Sequence, residues 1–213
     1  MDSSLHYFQT QRTARVFTFG ELNENTKCIW FLIHGYAQTA DHLLENFKSF
    51  GSEHFFVAPE GLNHFYARGL SGNPVASWMT SLMREEEIKD YLNYLASVYQ
   101  NFKPHSNCKV IVAGFSQGVS TLCRWIHRGG LVPHHIVFIA GNIAHEMKDS
   151  LPDIFNQSQN LFLYGSNDAM VRKESVLAMS HLFEKSTDFV EFAGKHEVNE
   201  NCINQIKTWL EQK

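Results

Sequence analysis

The chain has 213 residues, 44% of them hydrophobic and 19% charged, with a formal net charge of −4. That length and apolar content suit one sizeable core, and so a single domain over residues 1–213. The mild acidity leaves no footprint for nucleic acid, and no apolar run approaches the roughly 18 residues of a membrane span.

Residues 1–6 have neither the basic nor the apolar region of a secretory leader, so a cytoplasmic protein is expected. The four cysteines form no Cys-x-x-Cys pair and read as small buried hydrophobes in a reducing compartment. The twelve histidines include no His-x-x-x-His pair beside an acid. No metal and no other cofactor is therefore expected.

Residues 16–19 read as a short edge strand closed by Gly20. Residues 28–33 are continuously apolar, Cys-Ile-Trp-Phe-Leu-Ile. Unbroken rather than alternating hydrophobicity predicts a strand buried on both faces, as in a parallel sheet beneath helices. His34-Gly35-Tyr36-Ala37 follows, then a helix over 39–50 with Leu43, Leu44 and Phe47 on one face. Residues 54–58 are the next buried strand, ended by Pro59. The stretch 60–78 holds Gly61, Gly69, Gly72 and Pro74 among several aromatics, which predicts a long loop of the kind kept for function. Residues 85–102 repeat Ile88, Tyr91, Leu92, Leu95, Val98 and Tyr99 at helical spacing, and Lys103-Pro104 ends that helix.

Residues 110–118 are the most informative stretch. Four apolar residues lead into Gly114-Phe115-Ser116-Gln117-Gly118. A helical apolar face follows, with Val119, Leu122, Cys123 and Ile126, closed by Gly129-Gly130. Strand, Gly-x-Ser-x-Gly, helix is the context of a nucleophile elbow, in which a tight turn exposes the serine Oγ. A Cβ at Gly114 or Gly118 would collide with the crossing elements. The bland alternative is an ordinary strand-to-helix turn with a solvent-facing serine.

Residues 136–140, 161–164 and 188–192 read as three more buried strands, with helices over 171–183 and 197–210. Strands alternating with helices predict a mostly parallel, doubly wound α/β sheet flanked by helices. Right-handed crossovers bring every loop after a strand to one edge, where ligands bind.

A serine needs a base, and the base needs an acid that holds its tautomer. In this fold class the chain order is Ser, Asp or Glu, His. Asp168 lies just past a strand, where it reads equally as that acid or as the cap of a turn. His196 follows the last strand on such a loop, whereas His181 falls within a predicted helix and the other histidines precede Asp168 or lie outside the strand-end loops. An oxyanion hole needs two backbone N–H donors. Gln117, after the serine, and Tyr36, after the strand at 28–33, are the candidates. In the stretch 60–78, Phe65, Tyr66, Leu70, Val75 and Trp78 either line an acyl pocket or pack the loop onto the sheet.

Several segments in their order resemble the phospholipase/carboxylesterase family of small α/β-hydrolases, which includes acyl-protein thioesterases and bacterial carboxylesterases. They are His34-Gly35-Tyr36, Ala58-Pro59-Glu60-Gly61, Ser77-Trp78, Gly114-Phe115-Ser116-Gln117-Gly118, Gly165-Ser166-Asn167-Asp168 with Val171, and His196-Glu197-Val198. The resemblance spans roughly residues 28–210. It implies the α/β-hydrolase fold, with Ser116 as nucleophile, Asp168 as orienting acid, His196 as general base, and Tyr36 and Gln117 as oxyanion donors. The family pattern often has Trp-Phe-Asp where this chain has Trp78-Met79-Thr80, and a proline where Ala169 stands.

The function expected is hydrolysis of carboxylic esters through an acyl-enzyme. The length leaves no room for a large lid, which favours short to medium acyl chains. A thioesterase acting on acylated proteins or acyl-CoA would use the same machinery. A hydrolase fold serving as a receptor without turnover is a third reading, disfavoured by the presence of every catalytic part. The expected partner is a small-molecule ester or thioester, and a homodimer is compatible with this reading.

Overall fold

A computed structural model describes residues 3–102, 107–149, 151, 153–183 and 187–213. The elements run β1 (Val16–Phe19), β2 (Cys28–Ile33), α1 (Ala40–Glu45), β3 (His54–Pro59), β4 (Asn63–Arg68) and β5 (Ser71–Ser77). They continue with α2 (Arg84–Asn101), β6 (Lys109–Phe115), α3 (Gln117–Gly129), β7 (His135–Ile139), β8 (Gln159–Gly165), α4 (Lys173–Ala178), β9 (Thr187–Phe192) and α5 (Glu200–Leu210). Short 3₁₀ turns lie at His145–Met147, Asp153–Gln157 and Ser180–Leu182.

Seven strands form one sheet in the order β1-β3-β2-β6-β7-β8-β9. Among the described residues of this sheet, only β1 runs antiparallel, on the edge beside β3. The expected mostly parallel, helix-flanked sheet is therefore what the chain builds. Its faces explain the unbroken apolar runs. In β2, Ile29, Phe31 and Ile33 enter the core under α2 and α3, while Trp30 and Leu32 enter the core under α1 and α5. Every residue from Ile29 to Ile33 is fully buried. Each large apolar side chain buried this way contributes about 1.5–3 kcal/mol.

Strand order reverses direction between β2 and β6. After β2 the chain steps outward to β3, and it later returns to the other side of β2 as β6. The loops leaving β2 and β6 diverge there, which opens a crevice at the carboxyl ends of the strands.

Four expectations are corrected. The stretch 60–78 is chiefly a two-stranded antiparallel hairpin, β4–β5, not an irregular loop. Gly69, at φ +65°, makes the turn, and Pro74 sits on a two-stranded ribbon where its missing N–H is tolerated. The helix expected over 39–50 stops at Glu45, because the Asn46 side-chain amide donates to the carbonyls of His42 and Leu43. The helix expected from 171 starts only at Lys173, because the Val171 N–H is held by Asp168; it gives way to a 3₁₀ turn where the Ser180 hydroxyl donates to Leu177 O. His181 accordingly lies exposed in that turn and not within a helix. The closing helix begins at Glu200, capped by Asn199, whose side chain accepts from the Cys202 N–H at 3.0 Å. The expected stop at Lys103-Pro104 lies outside the described residues. Among the described residues, no helix is long and apolar enough to cross a membrane.

Candidate active site

Ser116 stands between β6 and α3 with φ +53° and ψ −116°, a backbone conformation that L residues rarely adopt. The surrounding structure enforces it. The Ser116 N–H is bonded to Ile139 O at 3.0 Å, and a Cβ built at Gly118 would lie 2.0 Å from Ile33 O. Only glycine lets α3 start this close to β2.

The parallel register pairs Gly165 at the end of β8 with Phe192 at the end of β9. The loops beyond them are tied together by Ser166 N–H to Phe192 O and Asn167 N–H to Gly194 O, both 2.9 Å. This brings residues 28 apart in sequence into contact. The His196 Nδ1–H donates to Asp168 Oδ2 at 2.8 Å, and the His196 Nε2 faces Ser116 Oγ at 2.9 Å. With the Nδ1–H given to the carboxylate, Nε2 is the ring nitrogen that faces the serine hydroxyl. The imidazole is seated against the Phe115 ring, with centroids 5.0 Å apart.

Asp168 combines both readings of its position. Oδ1 accepts the N–H groups of Met170 and Val171, each at 2.8 Å, and so caps the turn. Oδ2 is left to the imidazole. The carboxylate side chain is fully buried. Three backbone and ring donors on one buried carboxylate fix its orientation.

Tyr36 and Gln117 contribute different groups. Their backbone amides have no partner among the described residues. The loop bearing Tyr36 runs against the serine, since a Cβ at Gly35 would lie 3.2 Å from Ser116 Cβ. The Gln117 side chain is turned away and clamps the chain after β5: its Oε1 accepts from Trp78 N–H and its Nε2 donates to Met79 O, both at 3.0 Å. The Tyr36 ring is exposed and packs on Phe65, centroids 5.3 Å apart.

None of the five residues weighed for an acyl pocket lines the cleft at Ser116. Phe65, Tyr66, Leu70 and Val75 are on the β4–β5 hairpin, with Leu70 at its 99% exposed tip. Trp78 is a core residue whose indole N–H donates to His34 O at 2.9 Å. The cleft, of about 440 Å³, is lined by other residues, among them Met79, Arg84, Ser120, Arg124, His145 and Met170.

Two buried residues missed in the sequence brace the Tyr36 loop. His34 Nδ1–H donates to Gly35 O at 2.7 Å, and its Nε2 accepts the Gly61 N–H at 2.9 Å. Glu60 accepts from Ala40 N–H at 3.1 Å and pairs with Arg15 at 3.2 Å. Both stand in the quoted segments His34-Gly35 and Pro59-Glu60-Gly61. Their polar identity between apolar strands was the available signal.

Burial holds the His34 imidazole neutral, its pKa lowered to about 4, and burial does the same for His135, also to about 4. An unfolded histidine titrates at 6.5. Between those values the unfolded chain binds more protons, so stability must fall as pH drops from 6.5 towards 4. The expected result is a melting temperature that declines already between about pH 6.5 and 5, before most carboxylates protonate. His135→Phe should flatten the decline. Calorimetry across that range checks it, and a level melting temperature in the wild type would contradict it.

The family model Serine hydrolase (FSH1) matches residues 30–201. No curated protein sequence matches the chain. Acyl-protein thioesterase 2 of Zea mays is similar in fold, with a TM-score of 0.71 at 14% identity, covering 94% of this chain and 99% of that one. Esterase PE8 is similar at TM-score 0.69 and 16% identity, covering 94% and 99%. The carboxylesterase of Bacillus cereus is similar at TM-score 0.68 and 13% identity, covering 93% and 94%. At these identities the solved structures speak for the α/β-hydrolase fold, while the sequence match extends over most of the chain. The chain belongs to the serine hydrolase (FSH1) family.

Proposed function

We propose that this hydrolase cleaves carboxylic esters of short to medium acyl chains through a Ser116-His196-Asp168 triad. The observation that carries the reading is the continuous hydrogen-bonded path from Ser116 Oγ through the imidazole to the buried carboxylate. Ser116 Oγ attacks the ester carbonyl carbon while Nε2 of His196 takes the hydroxyl proton. The carbonyl π electrons move onto oxygen, and the N–H groups of Gln117 and Tyr36 receive that charge. Collapse of the tetrahedral species re-forms the carbonyl and breaks the bond to the leaving oxygen, which departs with the proton held by His196. Water, deprotonated by the same imidazole, then attacks the acyl-serine, and breaking of the acyl–Oγ bond returns the proton to Ser116. Asp168 keeps its charge throughout and favours the imidazolium.

The thioesterase reading uses the same steps with a thiolate leaving group, and the acyl-protein thioesterase among the similar folds keeps it in view. Matched butyryl substrates, one an oxygen ester and one a thioester of the same alkyl group, separate the two. The expected result is kcat/KM at least as high on the oxygen ester. A thioester preference of about a hundredfold or more, equivalent to nearly 3 kcal/mol, would assign the enzyme to thioesters.

A further inference from the structure

The cleft at Ser116 is basic at one end. Ser120 and Arg124 are spaced i, i+4 on one side of α3 and line the cleft together with Ser116, which stands just before that helix. Arg84, at the start of α2, joins Arg124 in the lining. No carboxylate lines it among the described residues.

The carboxylates stand behind. Glu146 accepts from Arg124 Nε at 2.7 Å and Nη2 at 3.1 Å, from Arg84 Nη2 at 2.9 Å and from Arg128 Nη2 at 3.3 Å. Glu85 pairs with Arg84 and Arg128. Three guanidinium groups therefore share two carboxylates, which leaves one positive charge in excess. The partners are unequal. The Arg124 side chain is 4% exposed and fixed by the two bonds to Glu146. Its Nη1 meets the Met79 thioether, a weak acceptor, at 3.7 Å, and the Tyr91 hydroxyl also lies against the guanidinium. Arg84 is 35% exposed and Glu85 59% exposed, so their mutual pairing is a weak surface one that a better-placed anion can displace.

Resting on the ester-hydrolase reading, we infer that the substrate is an ester carrying a second carboxylate, which Arg84 receives with Arg124 behind it. A single excess charge matches a carboxylate and not a phosphate dianion. A guanidinium edge also matches the carboxylate in geometry. The span sets the length. Arg124 lies seven residues along α3 from Gln117, a rise of about 10 Å, with Ser116 just before the helix, and helical side chains lean back toward the N-terminus. The gap fits a spacer of about three to six atoms between the scissile carbonyl and the carboxylate. The apolar lining, Met79, Ile143, Met170 and Val171, accommodates the methylene chain.

The test compares monoethyl adipate with ethyl heptanoate, which has a similar chain length and no second charge, by pH-stat. A second arm places the carboxylate on the alcohol half, as in the butyrate ester of 4-hydroxybutyrate. A third arm replaces it by phosphate, as in 2-(butyryloxy)ethyl phosphate. The expected result is kcat/KM at least about tenfold higher with the carboxylate in the first or second arm, the arm identifying which half carries it. Arg84→Gln should bring that ratio close to one, and Arg124→Lys should keep part of it. Equal or faster cleavage of the neutral ester by the wild type, an unchanged ratio in Arg84→Gln, or a preference for the phosphate would overturn the inference. Calorimetric titration with adipate separates the two readings. Adipate binding that is lost in Arg84→Gln, in a protein that cleaves none of the esters, would sink the hydrolase reading and leave the carboxylate site standing. Turnover of neutral esters with no adipate binding would do the reverse.

Discussion

Replacing Ser116 by alanine is expected to lower kcat for ester hydrolysis by about a millionfold, with His196→Ala costing a similar factor. The double variant should be no slower than either single one. The reason lies in the geometry: Oγ has one acceptor for its proton, Nε2 of His196 at 2.9 Å, and the imidazole has no other reacting group to serve. Removing either half leaves the other without a task, so the losses do not multiply. Ser116→Gly adds a check on the backbone. At φ +53° and ψ −116° a residue with a Cβ carries strain of order 1–3 kcal/mol, which glycine relieves. That variant should be inactive and still melt at a higher temperature than the wild type. Single variants that retain more than about a hundredth of wild-type kcat would contradict the nucleophile assignment.

Asp168→Asn should lower kcat by about 10⁴-fold without unfolding the protein. The asparagine Oδ1 can still accept from the Met170 and Val171 N–H groups, so the turn persists. Its amide nitrogen then faces Nδ1 of His196, where Oδ2 stood, 2.8 Å away. Two donors cannot share that contact. The imidazole shifts its proton to Nε2, which then points a hydrogen at Ser116 Oγ and cannot accept one. Stopped-assay kinetics together with a thermal melt check both halves of the statement. A loss below about tenfold at intact fold would mean that Asp168 serves the turn alone.

The sheet was legible because burial on both faces leaves a plain trace. The run of β2 can only be an inner parallel strand, and the glycines flanking Ser116 can only mark a crossing too close for side chains. The rest was hidden for physical reasons. Helix ends were misjudged where a polar side chain captured backbone groups, as Asn46 does after α1 and Asp168 does before α4. The hairpin passed for a loop because its glycines and Pro74 carry the same composition as irregular chain. Its alternation in β4, with Phe65 half-buried between exposed His64 and Tyr66, is the signal that marks it as a strand.

The site divides in the same way. Ser116, Asp168 and His196 each follow a strand, so topology alone brings them to one edge. The cleft lining does not, because it is gathered from residues 79–84, 116–124, 141–145 and 170–171. Nothing in a linear reading sets Arg84 beside Arg124, and aromatic residues near a glycine-rich stretch were a poor substitute for that knowledge. The pair Ser120 and Arg124, at i, i+4 just after Ser116, is legible among the polar residues of α3.

Treatment with a fluorophosphonate, followed by peptide mass spectrometry, tests the central claim without knowledge of the substrate. The expected result is one adduct per chain on Ser116, abolished in the His196→Ala variant. An unmodified Ser116, or labelling spread over other hydroxyls at equal rates, would show that this serine is no nucleophile.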